Sequence, residues 1–417
     1  MQTRLKSGVL QLTLGIGIII GVLCMAMIMV VYYAKLFFLQ HSVNDNLASN
    51  ATSGIHYLMA EGKNFPYNKT RTLDLFHEEI DTVELTRRRW GLFDLVTTRS
   101  IRGNHEVVKS ALLAAETDTI TQSCLYIPNS NALIYMVGTA LLRGNAYLPG
   151  RGLTPGSIKN NNFKSDRLIY GKMKKSNEHL PFMDTLYIHA LQEILNGRDS
   201  MYHLKDIPEN ENRKHFSFDD LQPNYYYSSS SLHIDDSLSG NLIIHSATKV
   251  TITSTARLND VIVMAPEIEI LPGFNGRLQC IATEYIDVGE GSKLLYPSAL
   301  VLAGKEMDSL IVVRSGAVVE GYAIIAGYNA YTGNAGLFKI EKDAVFHGIG
   351  YINCAAEIEG EVWGHLSIQS FNASEGTADY PNHFMDGTID RTKCSVYMPA
   401  ALLWGNSGKR IIAKWLP

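Results

Sequence analysis

The sequence predicts a mainly β protein with one N-terminal membrane-spanning helix, and three observations support this fold class. An uncharged apolar segment, Val9 to Tyr33, lies near the N-terminus. Strand-like apolar runs recur at a regular spacing in the second half of the chain. The 417 residues include 34 glycines and only 19% charged residues, which fits a β-rich protein better than a helical bundle. The predicted order is a transmembrane helix with an amphipathic extension, then a parallel β-helix with a few packed helices.

The charge balance and the missing motifs limit the classes of function. The chain has 37 basic and 41 acidic residues, without a basic stripe or an acidic tail, so we expect no nucleic acid partner. It contains no G-x-S-x-G, P-loop, H-E-x-x-H or G-x-G-x-x-G motif. We therefore predict no catalytic residues, no cofactor and no metal site, and a protein that is not an enzyme.

The first element is the apolar segment from Val9 to Tyr33. About 20 apolar residues in a helix cross the hydrocarbon of a bilayer. The segment is longer than the apolar region of a cleaved signal peptide, about 7–15 residues, and no A-x-A-like cleavage site follows it. It predicts a single transmembrane helix over 9–34, preceded by a cytoplasmic leader over 1–8.

Basic residues around this segment predict the orientation of the chain. Arg4 and Lys6 precede the segment, and Lys35 alone follows it closely. By the positive-inside rule the N-terminus lies in the cytoplasm, and the remaining chain lies outside. The predicted location is the inner membrane, with an extracytoplasmic C-terminal body.

Apolar residues then continue at four-residue spacing beyond the membrane. They are separated by polar residues, and they are Val43, Leu47, Ala51, Ile55 and Met59. This spacing forms one apolar stripe on a helix, so we predict a helical stalk over 35–60. A glycine at position 54 weakens this helix by about 1 kcal/mol.

The stretch RLKSGVLQLTLGIGI, followed by this long helix, resembles the type IV pilin and pseudopilin family. The family has a short basic leader that ends in glycine and a helix whose first half is apolar. The resemblance implies that Lys6, Ser7 and Gly8 end the leader and that processing occurs between Gly8 and Val9. The family usually carries Glu at the fifth mature position, where this chain has Thr13, and some minor tip-type pseudopilins also lack that Glu. A plain signal anchor with a helical stalk is the alternative.

The region 61–230 mixes strand-like and helix-like runs. The stretch PFMDTLYIHALQEILNGRDS predicts a helix that Asp184 caps and Gly197 ends. The basic run Arg87 to Arg89 predicts either a solvated turn or a contact with anionic lipid or sugar.

The repeat defines the next domain. Strand-like runs contain apolar residues 18 positions apart, at Val250, Ile268 and Ile286, and a staggered second series places Val263 and Ile281 at the same spacing. One 18-residue unit cannot bury its inward face, but stacked copies can, because each strand pairs with its equivalent in the next coil. This spacing predicts a parallel β-helix over 231–370.

A shorter phrase accompanies the repeat: an apolar residue, any residue, then Gly. It begins at Leu142, Val319, Phe346 and Ile358. A corner between two sides of a coil favours positive φ, which Gly adopts without steric cost. The copy at Leu142 predicts an early coil that closes one end of the stack. The coils resemble the right-handed β-helices of pectate-lyase-like enzymes and the bactofilins, which implies a right-handed turn.

Outward acids and histidines are the candidate chemical groups of the stack. The acids lie about one coil apart, at Glu267, Glu269, Glu284 and Asp287. A polysaccharide-cleaving enzyme needs such acids in register, although a solvated strand face is also expected to be charged. Two histidines at the spacing of the repeat, His347 and His365, would stack in neighbouring coils and hold a metal, or stack without one.

The body contains four cysteines, Cys124, Cys280, Cys354 and Cys394, and a fifth lies in the apolar segment. No C-x-x-C pair occurs, so a structural zinc site is not expected. One disulfide would be stable outside the cytoplasm, whereas four buried thiols fit a core. The sequence does not assign a pairing.

The segment 371–417 is predicted to cap the stack, because its apolar end contains Trp404, Trp415 and Leu416. Together these features predict a membrane-anchored extracytoplasmic structural protein. The resemblance implies a minor pilin-like component of a type IV pilus or secretion-type fibre. Its partners are then the lipid bilayer and pilin-like subunits or other envelope proteins. The alternative is a cell-surface β-helix protein that binds or cleaves polysaccharide.

Overall fold

The structure is a computed structural model that describes residues 7–76, 80–184, 213–220, 222–304, 310–326, 336–402 and 408–417. It confirms a mainly β fold with one long apolar N-terminal helix and a body of parallel strands. Helix α1 spans Ser7–Glu61, and 3-10 turns span Gly62–Asn64 and Arg391–Lys393. The helix predicted from Asp184 to Gly197 lies outside the described residues from position 185 onward.

The strands are numbered in chain order. The first twelve are β1 (Thr70–Leu73), β2 (Thr82–Trp90), β3 (Phe93–Arg102), β4 (His105–Ala115), β5 (Leu125–Tyr126), β6 (Ile134–Val137), β7 (Leu141–Arg143), β8 (Ala146–Leu148), β9 (Leu153–Pro155), β10 (Ser157–Ile158), β11 (Asn161–Asn162) and β12 (Met173–Lys175). The next nine are β13 (Arg213–Phe216), β14 (Asn224–Ser228), β15 (Leu232–Ile234), β16 (Ser237–Gly240), β17 (Leu242–Ser246), β18 (Lys249–Ile252), β19 (Arg257–Ile270), β20 (Asn275–Val288) and β21 (Lys293–Leu302). The last nine are β22 (Leu310–Val313), β23 (Val318–Ile325), β24 (Leu337–Ile340), β25 (Val345–Ile358), β26 (Glu361–Glu375), β27 (Ala378–Pro381), β28 (His383–Met385), β29 (Thr388–Asp390) and β30 (Arg410–Leu416).

The chain divides into two compact units. The first comprises the described residues up to His56 together with Arg71–Leu85 and Thr98–Lys109, and the second comprises the rest. A five-stranded sheet has the order β1-β2-β3-β4-β30. A larger parallel sheet, which closes into a ring, contains most of the strands from β5 to β29.

In the first unit, the second half of α1 packs on strands β2 and β3. Leu47, Ala51 and Ile55 of the predicted stripe are fully buried, which confirms the amphipathic extension. A Cβ atom added at Gly54 would lie 2.8 Å from Leu85 Cδ2. The glycine therefore permits a close approach between helix and sheet, and this packing compensates for its poor helix propensity.

The second unit is dominated by the parallel sheet, here called the stack. Its first ladder aligns inward residues of successive coils, and they are Val250, Ile268, Ile286, Ile311, Phe338 and Ala356. The steps from Val250 to Ile268 and from Ile268 to Ile286 have the predicted length. Polar residues alternate with these apolar residues on the outward side. The right-handed turn stays a prediction.

The second predicted series is wrong by one residue in its register. Val263 pairs with Cys280 and not with Ile281. The cause is a bulge between Asn259 and Val261, where Asp260 has a φ of 62°. Because side chains alternate between faces, Cys280 points into the inner core and Ile281 points away from it.

The ladder of this second series is apolar on both of its faces. Val261 and Val263 belong to the inner core of the stack, whereas Ile262 and Met264 belong to a second core that contains Trp90 of the hairpin β2–β3. A strand that is buried on both faces reads as a continuous apolar run. This double burial joins the stack to the antiparallel pair β4–β30.

The chain does not pass through the coils in sequence order. Strand β26 pairs with β29, through Val362 and Ile389, and also with β5, through Leu366 and Leu125. One coil is therefore shared by two segments that are far apart in the sequence. Strand β7 pairs next with β29, so the coil predicted near Leu142 does belong to the stack. It does not close the stack, because β12 pairs with β8 on the far side of this coil. The parallel strands thus extend on both sides of the predicted range 231–370.

Glycines form a ladder at one corner of the stack, as the repeated phrase predicts. Gly321, Gly348 and Gly364 align in neighbouring coils. Gly321 has a φ of 142°, and a Cβ atom there would lie 2.0 Å from the Ser298 carbonyl oxygen. The copy predicted from Ile358 is wrong, because its glycine does not lie in this ladder and Gly364 takes the place.

Two other predictions are corrected in the second unit. Strand β30 pairs antiparallel with β4 in the five-stranded sheet and adds no strand to the stack. Trp404 lies outside the described residues. Arg87 lies in strand β2, not in a turn, and its Nη2 donates to Asp94 Oδ2 at 2.6 Å, with both side chains buried.

Candidate functional site

The apolar half of α1 is the first candidate site. From Val9 to Leu39, the large apolar side chains of the helix are exposed. The helix is long and apolar enough to cross a membrane. Within the first unit, this exposed half runs without a break into the half that packs on β2 and β3.

The predicted processing site lies in the first turns of this helix. Gly8 and Val9 are helical and exposed, and residues 1–6 lie outside the described residues. The Thr13 hydroxyl lies 3.0 Å from the carbonyl oxygens of both Val9 and Leu10. The helix backbone therefore satisfies the one polar group at the position where the pilin family usually has Glu.

Two of the four predicted outward acids, Glu269 and Asp287, are held in ion pairs. Glu269 pairs with Lys249 at 2.7 Å, and this hydrogen bond raises the pKa of Lys249. Asp287 accepts two hydrogen bonds from Arg314, each 2.9 Å long. Glu269 and Asp287 are in register on neighbouring coils, whereas the partner of Glu267 is Tyr285 and not Glu284. Paired acids of this kind are typical of a solvated sheet face.

The two histidines do not stack. His347 aligns with Trp363, and His365 aligns with Ile349. His365 is fully buried, and its Nδ1 lies 3.0 Å from the Ser123 carbonyl oxygen while its Nε2 lies 2.8 Å from Ser367 Oγ. Burial lowers the pKa of His365 to about 4. Among the described residues, no group of three or more potential ligands could hold a metal ion.

The four body cysteines are buried and free. Cys124, Cys280 and Cys354 lie in the inner core of the stack, and Cys394 lies in the second core. Burial raises the pKa of Cys124 and of Cys354 to about 12, so these thiols stay protonated at neutral pH. Their role in this structure is that of small apolar core residues.

The second candidate site is a pocket of about 270 Å³ in the second unit. Tyr296, Glu320 and His347 line it from neighbouring coils, and Ile412 and Ala413 line it from β30. Sequence reasoning missed this pocket. One signal was present, since Glu320 and His347 both precede the glycine of the repeated phrase.

The acidic group among the lining residues of this pocket is the Glu320 carboxylate. Its Oε2 accepts a long hydrogen bond of 3.4 Å from the Tyr296 backbone N–H. No basic side chain among the described residues forms an ion pair with the Glu320 carboxylate. Two coils further on, by contrast, Glu361 pairs with Lys393 at 2.6 Å and accepts from Trp363 Nε1. Burial raises the pKa of the Tyr296 phenol to about 12, so it stays neutral beside Glu320.

Comparisons with known proteins give a weak similarity to a solved structure. No protein-family profile and no curated protein matches the chain. Among solved structures, the chain is similar to the crystal structure of competence-associated pilin ComZ from Thermus thermophilus. The match covers 84% of this chain and 86% of that chain, with 10% identity and a TM-score of 0.23.

Proposed function

We propose that this chain is a pilin-like structural subunit, anchored in the inner membrane by α1, that carries its parallel stack outside the cytoplasm. One observation carries the proposal. A single unbroken helix, Ser7–Glu61, exposes apolar side chains along its first half and buries Leu47, Ala51 and Ile55 in its second half. The same helix thus serves as anchor and as part of a folded unit.

The exposed half requires an apolar environment. An apolar surface of this size is not stable in water, so it needs the bilayer or other apolar helices around it. Both environments fit a pilin-like subunit, which lies in the membrane before assembly and among like helices afterwards. Thr13 is compatible with both, because its hydroxyl bonds to the helix backbone and leaves no unsatisfied polar group.

Processing of the leader tests the proposal. In cells with an active prepilin peptidase, the intact mass of the purified protein should correspond to a chain that begins at Val9. The variant Gly8→Leu should keep the mass of the unprocessed chain, because the peptidase of this family cuts after glycine. A wild-type chain that starts at Met1 or Gln2 in these cells would rule out the pilin-like subunit and leave a plain anchor.

The membrane location has a separate test. The protein should remain in the membrane fraction after alkaline carbonate washing, as expected of a chain with a spanning helix. Protease added outside spheroplasts should digest the body, and protease added to inside-out vesicles should not. Protection in spheroplasts would contradict the proposed orientation even if the leader is processed.

A further inference from the structure

We propose that the pocket beside β30 binds an extended protein segment that adds to the edge of this strand and inserts a lysine or arginine side chain toward Glu320. This inference goes beyond the structural role proposed above. It depends only on residues of the second unit, so it does not require that the leader is processed.

The walls of the pocket fit a long aliphatic stem. Met398 and Pro399 of the C-terminal segment and Ile412 and Ala413 of β30 provide apolar surface. Lysine and arginine bury their methylene stems along apolar surface while they keep the charged group near a polar partner. A volume of about 270 Å³ accommodates one such side chain.

The charge at the pocket favours a cation. Glu320 is partly buried and has no ion-pair partner among the described residues, whereas Glu269, Asp287 and Glu361 each have one. A carboxylate that is partly removed from water gains most from a charge-assisted hydrogen bond with a cation. An inserted acidic side chain would instead be repelled.

The backbone of β30 explains why the ligand is an extended segment. In the described chain, β30 lies at the edge of the five-stranded sheet and pairs with β4 alone. An exposed strand edge binds a partner strand through backbone hydrogen bonds, and pockets for alternate side chains supply specificity. Ile412 and Ala413 line the pocket from this same strand, so a strand added there would place a side chain beside Glu320.

One residue that lines the pocket, Tyr397, is an exposed aromatic residue, and an exposed apolar residue precedes it in the chain. Tyr397 is 86% exposed, and the neighbouring Val396 is 65% exposed. Aromatic side chains of this kind supply contact area in protein interfaces. They offer the flanking residues of the inserted segment an apolar surface.

The test uses the full chain in detergent micelles and a fluorescein-labelled probe, acetyl-Val-Thr-Val-Lys-Val-Thr-Val-amide. Fluorescence anisotropy should show binding of this probe. The same peptide with Gln in place of Lys should bind at least fivefold more weakly, and the peptide with Glu should bind least. A peptide with N-methyl groups on alternate amides should also lose at least fivefold, because it cannot pair with β30.

Variants connect the binding to the pocket. Glu320→Gln should weaken the lysine probe at least fivefold, and Glu269→Gln, which removes a carboxylate outside the pocket, should have no effect. Tyr397→Ala changes an exposed residue, so it should remain folded and bind the probe more weakly. Absence of binding, equal binding of the Lys and Gln peptides, equal binding of the N-methylated peptide, or unchanged binding by Glu320→Gln would each overturn the proposal.

Discussion

A buried glutamine of the stack holds the hairpin between β2 and β3. Gln279 Oε1 accepts a hydrogen bond from the Leu92 backbone N–H at 2.8 Å, and its Nε2 donates to the Trp90 carbonyl oxygen at 3.2 Å. Gly91, between these two residues, has a φ of 56°, and a Cβ atom there would lie 2.1 Å from Gln279 Oε1. We predict that replacing this glutamine destabilises the second unit strongly.

The variant Gln279→Leu replaces the amide with an apolar group of similar size, so no large cavity forms. The Leu92 N–H is left buried without its acceptor, which costs about 1–3 kcal/mol. The lost bond to Trp90 adds about 0.5–1.5 kcal/mol. The free energy of unfolding should therefore fall by about 1.5–4.5 kcal/mol.

Urea unfolding of the full chain in detergent, followed by tryptophan fluorescence, measures this change, since Trp90 lies in the hairpin. Gln122→Leu is the matched control, because Gln122 is exposed and should change stability by less than about 0.5 kcal/mol. Gly91→Ala should also destabilise, and its cost should shrink in the Gln279→Leu background because the clash with Oε1 is removed. If the free energy of unfolding of Gln279→Leu lies within about 0.5 kcal/mol of the wild-type value, the reasoning is refuted.

Three further predictions concern the stack. Gly321→Ala should lower the free energy of unfolding by at least about 2 kcal/mol, because its Cβ would meet the Ser298 carbonyl oxygen; thermal melting measures this loss. The double variant Glu267→Gln/Glu269→Gln should change the free energy of unfolding by less than about 1 kcal/mol, since both carboxylates lie on the surface; urea unfolding measures this change. Burial lowers the pKa of His365 to about 4, so the stability that its neutral form provides is complete above its ordinary value of 6.5 and is lost as the pH falls toward 4. This loss is about 3 kcal/mol, and His365→Gln should flatten the dependence of the unfolding midpoint on pH.

The register of the first ladder could be predicted because its two faces differ. Val250, Ile268 and Ile286 point into the core, and charged or polar residues alternate with them on the solvated side. This alternation fixes which residues face inward, since a slip of one residue would bury the charges. The predicted step between coils was therefore correct to the residue.

The second series gave no such signal. Residues 261–265 are all apolar, because one face meets the inner core and the other meets the second core. A continuous apolar run does not indicate which residues point inward. The bulge at Asp260 then shifts the pairing by one position, and a bulge of this kind has no reliable sequence pattern.

The two candidate sites also differ in whether they could be predicted from the sequence. The apolar helix could be predicted from sequence, because length and hydropathy alone define it. The pocket could not, because it forms only when β30 comes to lie near Glu320 and His347. Ile412 lies more than sixty positions after each of those two residues in the sequence, so no local pattern predicts that the three come together. Processing between Gly8 and Val9 stays a prediction.

The path of the chain explains how one sheet can carry so large an insertion. The stack is inserted between β4 and β30, which are neighbours in the sheet, with Ala115 paired to Arg410. The inserted segment therefore begins and ends at adjacent positions, and an insertion of that kind leaves the host strands undisturbed. The same adjacency is repeated inside the stack, where β5 and β29, near the two ends of the insertion, both pair with β26. Residues from both ends of the inserted segment form this coil, so strand β30 and the last coils should form together during folding. The pocket beside β30 then exists only after both have formed.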